Sequence, residues 1–399
     1  MLRLAGKRPV VTLWGRSGQW VVLQRVVAVR VSSRSKLEAE MIKETSVKTA
    51  PERSSSPPTQ LLLRNAARLT GTSALVAGLY NDDAVDVLTP ALPDATFLTL
   101  DYPAYTRARA AASAGQNVLY SPFYHPPEPL HDLAIVYLQK GKDLNEMLLT
   151  TVARSVVPGG KLLLVGENTG GIRSSKRLLE AVAGPVTFSD AARHSVLYQV
   201  TLTRDQTKPL LLSDWMKPAP VEMGGTGLTL VSLPGVFSHG RVDKGTELLL
   251  EHLPAGLTGD VLDLGCGSGV IGALVKLRFP ETRVTLTDSN ALALAAAEET
   301  FRVNEIRAEA VIASDVYTQV HGQFDVILSN PPFHEGTRTQ YETTSHLISG
   351  SAGHLRSGGQ LLLVANHFLH YESIMEEHVG PVTCLARDGG YKVLLSRKR

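Results

Sequence analysis

The chain contains one series of segments twice, in the same order, and this internal repeat constrains its fold more than any other feature. The matched pairs are residues 97–101 with 284–288, 132–137 with 325–328, 158–168 with 357–366, 184–187 with 380–383 and 195–202 with 391–396. Each half alternates short apolar runs with helix-like stretches, which is typical of a mostly parallel sheet covered by helices on both faces. The repeat therefore predicts an α/β protein with two tandem copies of one unit, each closed by an antiparallel hairpin.

The second half gives the clearer pattern of elements. Strands are expected at residues 260–264, 284–288, 310–313, 324–328 and 360–365, with hairpin strands near 381–386 and 391–396. An alanine-rich helix is expected near residues 290–303, and Ser289 is its expected N-cap, because a serine hydroxyl can accept from the first free backbone N–H groups. These strands and this helix form the framework on which the candidate site residues are placed.

The first 58 residues differ in composition from the rest. Residues 1–37 contain eight Lys or Arg and no Asp or Glu, and a segment rich in Pro and Ser follows at residues 50–58. We expect residues 1–58 to be a disordered leader and linker, either an organellar transit peptide or an extension ahead of a start at Met41. The two repeated units would then be domains of residues 59–215 and 216–399.

Charge and cysteine content limit the functional classes. Without residues 1–37 the chain has 32 basic and 38 acidic residues, a net charge of −6, so contact with a polyanion must rest on local basic clusters. The candidate clusters are Arg173, Lys176 and Arg177 in the first half and Lys392, Arg397, Lys398 and Arg399 at the end. The two cysteines form no framework, no metal site is expected, no apolar stretch is long enough to span a membrane, and the cytoplasm is the expected location.

A buried strand leads into the glycine-rich turn Asp263-Leu264-Gly265-Cys266-Gly267-Ser268-Gly269. Its three glycines let the backbone approach a ligand closely. The glycine pattern alone also fits a dinucleotide site, but the carboxylate of Asp263 in the strand would repel a pyrophosphate. That carboxylate could instead accept from the ammonium of a bound amino acid. The turn therefore favours S-adenosylmethionine over NAD as cofactor.

Two further acidic residues end the next strands. Asp288 ends the strand at 284–288, where a carboxylate can accept from both hydroxyls of a ribose, although an acid here also suits the start of the following helix. Ser289 follows it and is counted with it in the cofactor site. Asp315 follows the strand at 310–313 and could accept from an adenine amino group or only cap a loop. Together these residues predict an adenosine site at one edge of the sheet.

The segment Ser329-Asn330-Pro331-Pro332-Phe333 ends another strand in a rigid loop, because proline cannot donate to a strand ladder. An exocyclic amine on a base is a poor nucleophile, since its lone pair is delocalised into the ring. The Asn330 side-chain oxygen and the Pro331 carbonyl could accept its two hydrogens and hold the lone pair in line with a methyl donor. Phe333 could stack on the ring. These residues, with Pro332, are the candidate catalytic set, and Asn330 is also counted among the cofactor contacts.

The first half lacks both motifs. Opposite the glycine-rich turn stands Ala74-Leu75-Val76-Ala77-Gly78-Leu79-Tyr80, which has a single glycine. Opposite the Asn-Pro-Pro-Phe motif stands Leu138-Gln139-Lys140-Gly141, which has neither proline nor an aromatic residue. We therefore expect the first copy to keep the fold and to bind no cofactor.

With these motifs the chain resembles the bacterial ribosomal RNA guanine-N2 methyltransferases, and most closely the small-subunit enzymes. The resemblance covers about residues 60–399 and also includes Gly235-Val236-Phe237-Ser238, Asp243 with Gly245, Val364-Ala365-Asn366 and Val165-Gly166-Glu167-Asn168. It implies two tandem Rossmann-like methyltransferase domains from an internal duplication, the first degenerate and aiding RNA recognition, the second catalytic. It also implies S-adenosylmethionine as cofactor and a guanine in 16S ribosomal RNA as substrate. We expect a monomeric enzyme that acts on this RNA within the small subunit or an assembly intermediate.

Other substrates remain open from the sequence. A guanine-N2 methyltransferase of 23S ribosomal RNA has similar motifs. Protein glutamine N5 and DNA adenine N6 methyltransferases share Asn-Pro-Pro but usually have tyrosine where Phe333 stands. The alternative from another class is a catalytically silent RNA-binding assembly factor, and the intact cofactor loop argues against it.

Overall fold

The computed structural model describes residues 13–14, 20–21, 55–203, 210–237, 242–331 and 338–399. Most of the expected leader, including Met41, lies outside these residues. Within it, strands β1 (Leu13–Trp14) and β2 (Trp20–Val21) pair antiparallel. Residues Ser54–Arg399 form a separate unit that contains both copies of the repeat.

The first copy is a seven-stranded sheet with helices on both faces. Its helices are α1 (Pro57–Arg64), α2 (Ala84–Leu88), α3 (Tyr102–Ala111), α4 (Lys142–Ala153) and α5 (Ile172–Ala183). Its strands are β3 (Ala74–Ala77), β4 (Thr96–Thr99), β5 (Asn117–Tyr120), β6 (His131–Tyr137), β7 (Val156–Glu167), β8 (Val186–Ala192) and β9 (Ser195–Thr201). The order is β5-β4-β3-β6-β7-β9-β8, with β9 antiparallel to both of its neighbours and the other pairs parallel.

The second copy repeats this architecture after the antiparallel hairpin of β10 (Lys217–Met223) and β11 (Thr226–Ser232). Its helices are α6 (Lys244–Glu251), α7 (Val270–Arg278), α8 (Ala291–Val303), α9 (Arg338–His354) and α10 (Glu372–His378). Its strands are β12 (Asp260–Leu264), β13 (Arg283–Asp288), β14 (Ala310–Ala313), β15 (Phe324–Ser329), β16 (Leu355–Asn366), β17 (Val382–Asp388) and β18 (Tyr391–Arg397). The order β14-β13-β12-β15-β16-β18-β17 matches the first sheet position by position, which confirms the tandem Rossmann-like arrangement.

The sequence and the structure differ at two helix starts. Helix α1 begins at Pro57, inside the expected linker, and Ser56 is its N-cap. Proline suits the first turn of a helix because the N–H groups there have no partner within the helix. Helix α8 begins at Ala291, and its N-cap is Asn290 rather than the expected Ser289. The Asn290 side chain accepts a hydrogen bond of 2.9 Å from the backbone N–H of the second helical residue.

The hairpin between the copies packs on helix α8 of the second copy. Thr300 Oγ1 accepts from Val231 N at 3.0 Å, and Asn304 bonds both the N–H and the carbonyl of Thr229. The same helix also packs Leu292 and Ala296 against the core of the first copy. Helix α8 is therefore shared between the two sheets. Among the described residues, none of the helices is both long and apolar enough to cross a membrane.

Candidate active site

The predicted site residues meet at the carboxyl edge of the second sheet. Strand β12 lies between β13 and β15, and its Asp263 pairs in register with Leu286 and Leu328. The residues that follow these strands therefore lie side by side, and the hydroxyl of Ser329 donates to Leu264 O at 2.7 Å across the gap. In open parallel sheets, ligands bind in the crevice beyond this edge.

The glycines of the β12–α7 turn serve two purposes. Gly265, Gly267 and Gly269 all have positive φ angles, of 74°, 53° and 76°, which other residues adopt at a cost. A Cβ atom on Gly265 or Gly267 would meet no atom within 4 Å, whereas one on Gly269 would come within 2.9 Å of Ala297 Cβ. The first two glycines thus border open space for a ligand, and the third allows α7 to pack closely on α8.

Asp263 lies behind this turn and not on the surface of the crevice. Its side chain is 0% exposed, Oδ2 accepts from Gly272 N at 2.8 Å, and Oδ1 has no partner among the described residues. Burial raises its pKa to about 7, and the nearby Asp288 carboxylate adds to this, against the Gly272 hydrogen bond. The structure shows a carboxyl group that holds the first turn of α7. Its expected contact with an ammonium rests on the free Oδ1 and stays a prediction.

Asp288 fixes the glycine-rich turn from the neighbouring strand. Its Oδ2 accepts from Gly267 N and its Oδ1 from Asn290 N, both at 2.9 Å. Burial raises the pKa of this carboxyl, and the backbone hydrogen bonds oppose that shift. Each carboxylate oxygen has further acceptor capacity, so Asp288 can hold the turn and still receive hydroxyl groups. Its role as a ribose contact stays a prediction consistent with this geometry.

Asp315 and Ser289 complete the expected adenosine edge. Asp315 is exposed and lines an open cleft of about 610 Å³ together with Asn81 and Arg107 of the first copy. The carbonyl of Ser289 accepts hydrogen bonds from the first copy, from Tyr102 N and from the hydroxyl of Tyr120. The first copy therefore borders the site on this side, which the sequence did not predict.

Asn330 is held by a pair of polar residues at the start of helix α6. Its Nδ2 donates to Asp243 Oδ2 at 3.0 Å and to Thr246 Oγ1 at 2.8 Å, and Thr246 Oγ1 donates to Asp243 Oδ2 at 2.5 Å. An ionised carboxylate only accepts hydrogen bonds, so the nitrogen of the amide must face Asp243. The oxygen Oδ1 then points the other way, and it receives no hydrogen bond from any described residue. The amide is thus fixed with its acceptor free.

The rest of the Asn-Pro-Pro-Phe motif is described only in part. Pro331 is buried directly after Asn330, so its carbonyl follows the fixed amide along the chain. Pro332 and Phe333 lie outside the described residues, and their expected roles stay predictions. The contribution of Asp243 and Thr246 was not recognised in the sequence, although Asp243 belongs to the family resemblance. The available signal was the spacing of an N-cap aspartate and a threonine three residues apart.

The corresponding place in the first copy is filled by side chains. The amide of Gln139 donates to Gly78 O at 2.7 Å and to Tyr137 O at 3.0 Å, and a Cβ atom on Gly78 would come within 2.7 Å of this amide nitrogen. The hydroxyl of Tyr80 donates to Leu138 O at 2.5 Å. Gln139 and Tyr80 therefore bridge the ends of β3 and β6 directly, where the second copy has an open glycine-rich turn.

Two of the lysines that were expected to dock RNA form hydrogen bonds within the protein. Lys392 is 1% exposed and its ammonium pairs with Glu372 Oε1 at 2.5 Å, because strand β18 directs it under helix α10. Lys398 donates to Ala352 O at 2.6 Å and Leu355 O at 2.7 Å, at the end of helix α9. Lys392 is buried, so the expectation that it docks a polyanion is wrong. Lys398 is half-buried, and its expected docking role stays a prediction.

The other basic residues remain on the surface. Arg173, Lys176 and Arg177 are exposed on α5 of the first copy. Arg397 and Arg399 are exposed at the end of the chain. Lys176 forms a 3.7 Å ion pair with Glu180, a surface contact that contributes little to stability and can be exchanged for a ligand. These two groups are exposed basic clusters that can meet a polyanion.

Comparison with known proteins identifies both copies. The Methyltransferase small domain family matches residues 227–395, and the Methyltransferase small domain N-terminal family matches residues 59–219. Ribosomal RNA small subunit methyltransferase C of Pseudomonas fluorescens is 38% identical over 346 residues, which are 85% of this chain and 98% of that protein. The protein of the same name from Aeromonas hydrophila is 37% identical over 342 residues, 86% of this chain and 98% of that protein.

A solved structure extends the match to three dimensions. The T. thermophilus 16S rRNA N2 G1207 methyltransferase, in complex with AdoMet and guanosine, superposes with a TM-score of 0.74 and 25% sequence identity. The superposition covers 86% of this chain and 92% of that one, and so includes both copies. The expectation drawn from the sequence motifs is confirmed: the chain belongs to the ribosomal RNA small subunit methyltransferase C family.

Proposed function

We propose that this chain transfers a methyl group from S-adenosylmethionine to the exocyclic N2 amine of a guanine in 16S ribosomal RNA. The observation that carries the proposal is the orientation of Asn330, whose amide hydrogens are both taken by Asp243 and Thr246. Its oxygen is left as an acceptor next to the glycine-rich turn. The name of the relatives supports small-subunit ribosomal RNA as the substrate, and the guanosine bound by the T. thermophilus protein supports guanine as the target base.

The residues of the turn fit S-adenosylmethionine in both space and charge. Gly265 and Gly267 border open space, and Asp263 Oδ1 is a buried acceptor without a partner among the described residues, suited to an ammonium through one bridging water. Asp288 would accept from the ribose hydroxyls and Asp315 from the adenine amino group, with Ser289 between them. When bound, this cofactor supplies an electrophilic methyl group on a sulfonium.

The contribution of Asn330 is to make a weak nucleophile available. Its Oδ1 and the Pro331 carbonyl oxygen would accept the two hydrogens of the guanine amine, which turns the nitrogen lone pair towards the cofactor. Both acceptors belong to a rigid strand end, and Asn330 is already oriented before substrate arrives. Such preorganised groups stabilise developing charge without any cost of reorganisation during the reaction.

The RNA must present a single base to this site. The acceptors of Asn330 and Pro331 lie at a sheet edge, so the target guanine would leave its helix and enter as an unpaired base. Phe333 would stack on its ring. The exposed Arg173, Lys176 and Arg177 on α5 supply a basic surface for the RNA backbone, and activity should therefore fall with added salt.

The proposal also covers the setting of the reaction. The enzyme is proposed to act as a monomer. With 16S ribosomal RNA as substrate, the proposed reaction would take place in the cytoplasm, on the small subunit or on an assembly intermediate. Sedimentation of the purified protein and comparison of mature subunits with partly assembled particles as substrates would test these two points.

A methyl-transfer assay tests the proposed reaction directly. Labelled S-adenosylmethionine is offered with small subunits, free 16S RNA, 23S RNA, DNA and a release factor, and the labelled nucleoside is identified by mass. Label in N2-methylguanosine of 16S RNA, lost with Asn330→Ala, is the expected result. Label in 23S RNA, DNA adenine or protein glutamine instead would overturn the choice of substrate.

The silent RNA-binding alternative is tested by cofactor binding. A calorimetric titration of the chain with S-adenosylmethionine should give saturable binding that Asp288→Ala weakens. Failure of the wild-type chain to bind S-adenosylmethionine, together with retained binding to 16S RNA, would replace the enzyme by an assembly factor.

A further inference from the structure

The first copy touches the second at the loop that follows strand β13. Residues 100–102, which follow β4, lie antiparallel to residues 289–291, with a bridge between Asp101 and Asn290. Two backbone hydrogen bonds of 2.8 Å join the segments. Strands β4 and β13 occupy equivalent places in the two sheets, so each copy contributes the same strand end to the contact. One partner in this contact is the loop that carries the proposed ribose acceptor.

Tyr120 of the first copy, at the end of β5, reaches the same loop. Its hydroxyl donates to Ser289 O at 3.1 Å, and Tyr102 N donates to the same oxygen. The ring of Tyr120 packs edge-on against that of Tyr102, with centroids 5.5 Å apart. Burial raises the pKa of the Tyr120 phenol well above its ordinary value, and the carboxylates of Asp288 and Asp101 raise it further. The hydroxyl is therefore a permanent donor near physiological pH.

The Ser289 carbonyl lies one residue after Asp288. A planar peptide leaves two soft dihedral angles per residue, so a carbonyl held by two donors restrains the backbone on both sides of it. Asp288 itself bonds Gly267 N and Asn290 N. Hydrogen bonds therefore connect Tyr120 of the first copy to the loop after β13. The Asp288 carboxylate then connects that loop to the glycine-rich turn.

We propose that Tyr120 is a positioning residue for the cofactor: its hydroxyl fixes the Ser289 carbonyl and so aims the Asp288 carboxylate at the ribose. The inference rests on the proposed binding of S-adenosylmethionine through Asp288. The first copy lacks the glycine-rich turn, and this proposal gives it a defined part in the cofactor site of the second copy. The proposed role of Tyr120 differs from that of the Asn330 and Pro331 oxygens, which would accept from the amine of the target base.

The test is Tyr120→Phe, which removes the hydroxyl and keeps the ring. We expect the Kd of S-adenosylmethionine to rise about three- to tenfold, as for the loss of one hydrogen bond, with kcat at saturating cofactor changed less than about twofold. Tyr105→Phe is the matched control, because the Tyr105 ring lies in the same cluster, 5.9 Å from that of Tyr120, and its hydroxyl makes no hydrogen bond to any described residue. This control should leave Kd unchanged.

A double-mutant cycle separates positioning from general support of the fold. If Tyr120 acts through Asp288, Tyr120→Phe should add less than about twofold to Kd in an Asp288→Ala background. The same loss in both backgrounds, or an unchanged Kd in Tyr120→Phe, would overturn the inference. So would an equal loss in Tyr105→Phe. Wild-type protein that fails to bind S-adenosylmethionine would instead refute the proposed function, and the two failures are therefore distinct.

Discussion

Replacement of Asp243 by asparagine tests whether the orientation of Asn330 matters for catalysis. In the structure Asp243 Oδ1 caps helix α6 by accepting from Gly245 N and Thr246 N, while Oδ2 accepts from Asn330 Nδ2 and Thr246 Oγ1. An asparagine keeps one oxygen for the cap but presents a donor where Asn330 also donates. Two donors cannot bond, so Asn330 is expected to turn and to direct its nitrogen at the substrate amine.

The size of the effect follows from the bond that is lost. A hydrogen bond to a charged group contributes about 1.5–3 kcal/mol, which corresponds to a fall of about 10- to 150-fold in methyl transfer. The cap of α6 is retained, so the melting temperature should change little. The affinity for S-adenosylmethionine should stay within about threefold, because this bond is lost at Asn330 and not at the loops of Asp263 and Asp288.

Single-turnover methyl transfer under saturating enzyme and cofactor measures this effect without product release. Asp214→Asn is the control, since Asp214 also accepts a backbone hydrogen bond, of 2.9 Å from Leu211 N, but lies in the segment between the copies. It should transfer methyl groups at the wild-type rate. Wild-type rates in Asp243→Asn, with intact folding and cofactor binding, would refute the argument that a fixed amide carries the reaction.

Three further outcomes are expected. Asn330→Ala should abolish turnover with S-adenosylmethionine affinity kept within about threefold, whereas Asp288→Ala should weaken that affinity by about 1–3 kcal/mol; equal losses of affinity would contradict these roles. Calorimetry should find one S-adenosylmethionine site per chain, because Gln139 fills the equivalent place in the first copy, and a second site would contradict this. Burial raises the pKa of Asp263 to about 7, so between about pH 4 and 7 it is protonated in the folded state and ionised in the unfolded state. Ligand-free protein should therefore lose stability relative to Asp263→Asn as pH rises through that window; a constant difference in urea unfolding at pH 5 and 7.5 would contradict the shift.

The fold and the core of the site could be predicted because their signals are local. Buried parallel strands are continuous apolar runs, and the internal repeat gave a second copy of the same order. Asp263, Asp288 and Asn330 were expected at strand ends, and the structure brings them to one edge of the sheet. The residue types alone predicted the kind of site. Turn glycines allow the backbone to approach a ligand, and carboxylates at strand ends are placed at the sheet edge by the strands themselves.

The remaining features depend on contacts between distant segments. Asn330 and Asp243 are 87 positions apart, so no local pattern shows which side-chain atom of the asparagine is free. Lys392 occurs in a basic stretch that suggests a surface, and only the packing of α10 supplies its partner Glu372. The choice between Ser289 and Asn290 as N-cap depends on one residue of helix register, because both side chains are good acceptors.

The contact between residues 100–102 and 289–291 joins, in antiparallel orientation, the loops that follow the equivalent strands β4 and β13. An isologous dimer likewise brings the same region of both protomers together in opposite directions, and here both stretches follow equivalent strands of the repeat. If the two copies were separate chains that formed such a dimer, each protomer would support the loop of its partner that carries the ribose acceptor. Fusion into one chain makes the two roles separable, so that one half can lose its glycine-rich turn as long as it keeps Tyr120 and its own strand end. This chain is asymmetric in that way, because its second half alone keeps the glycine-rich turn.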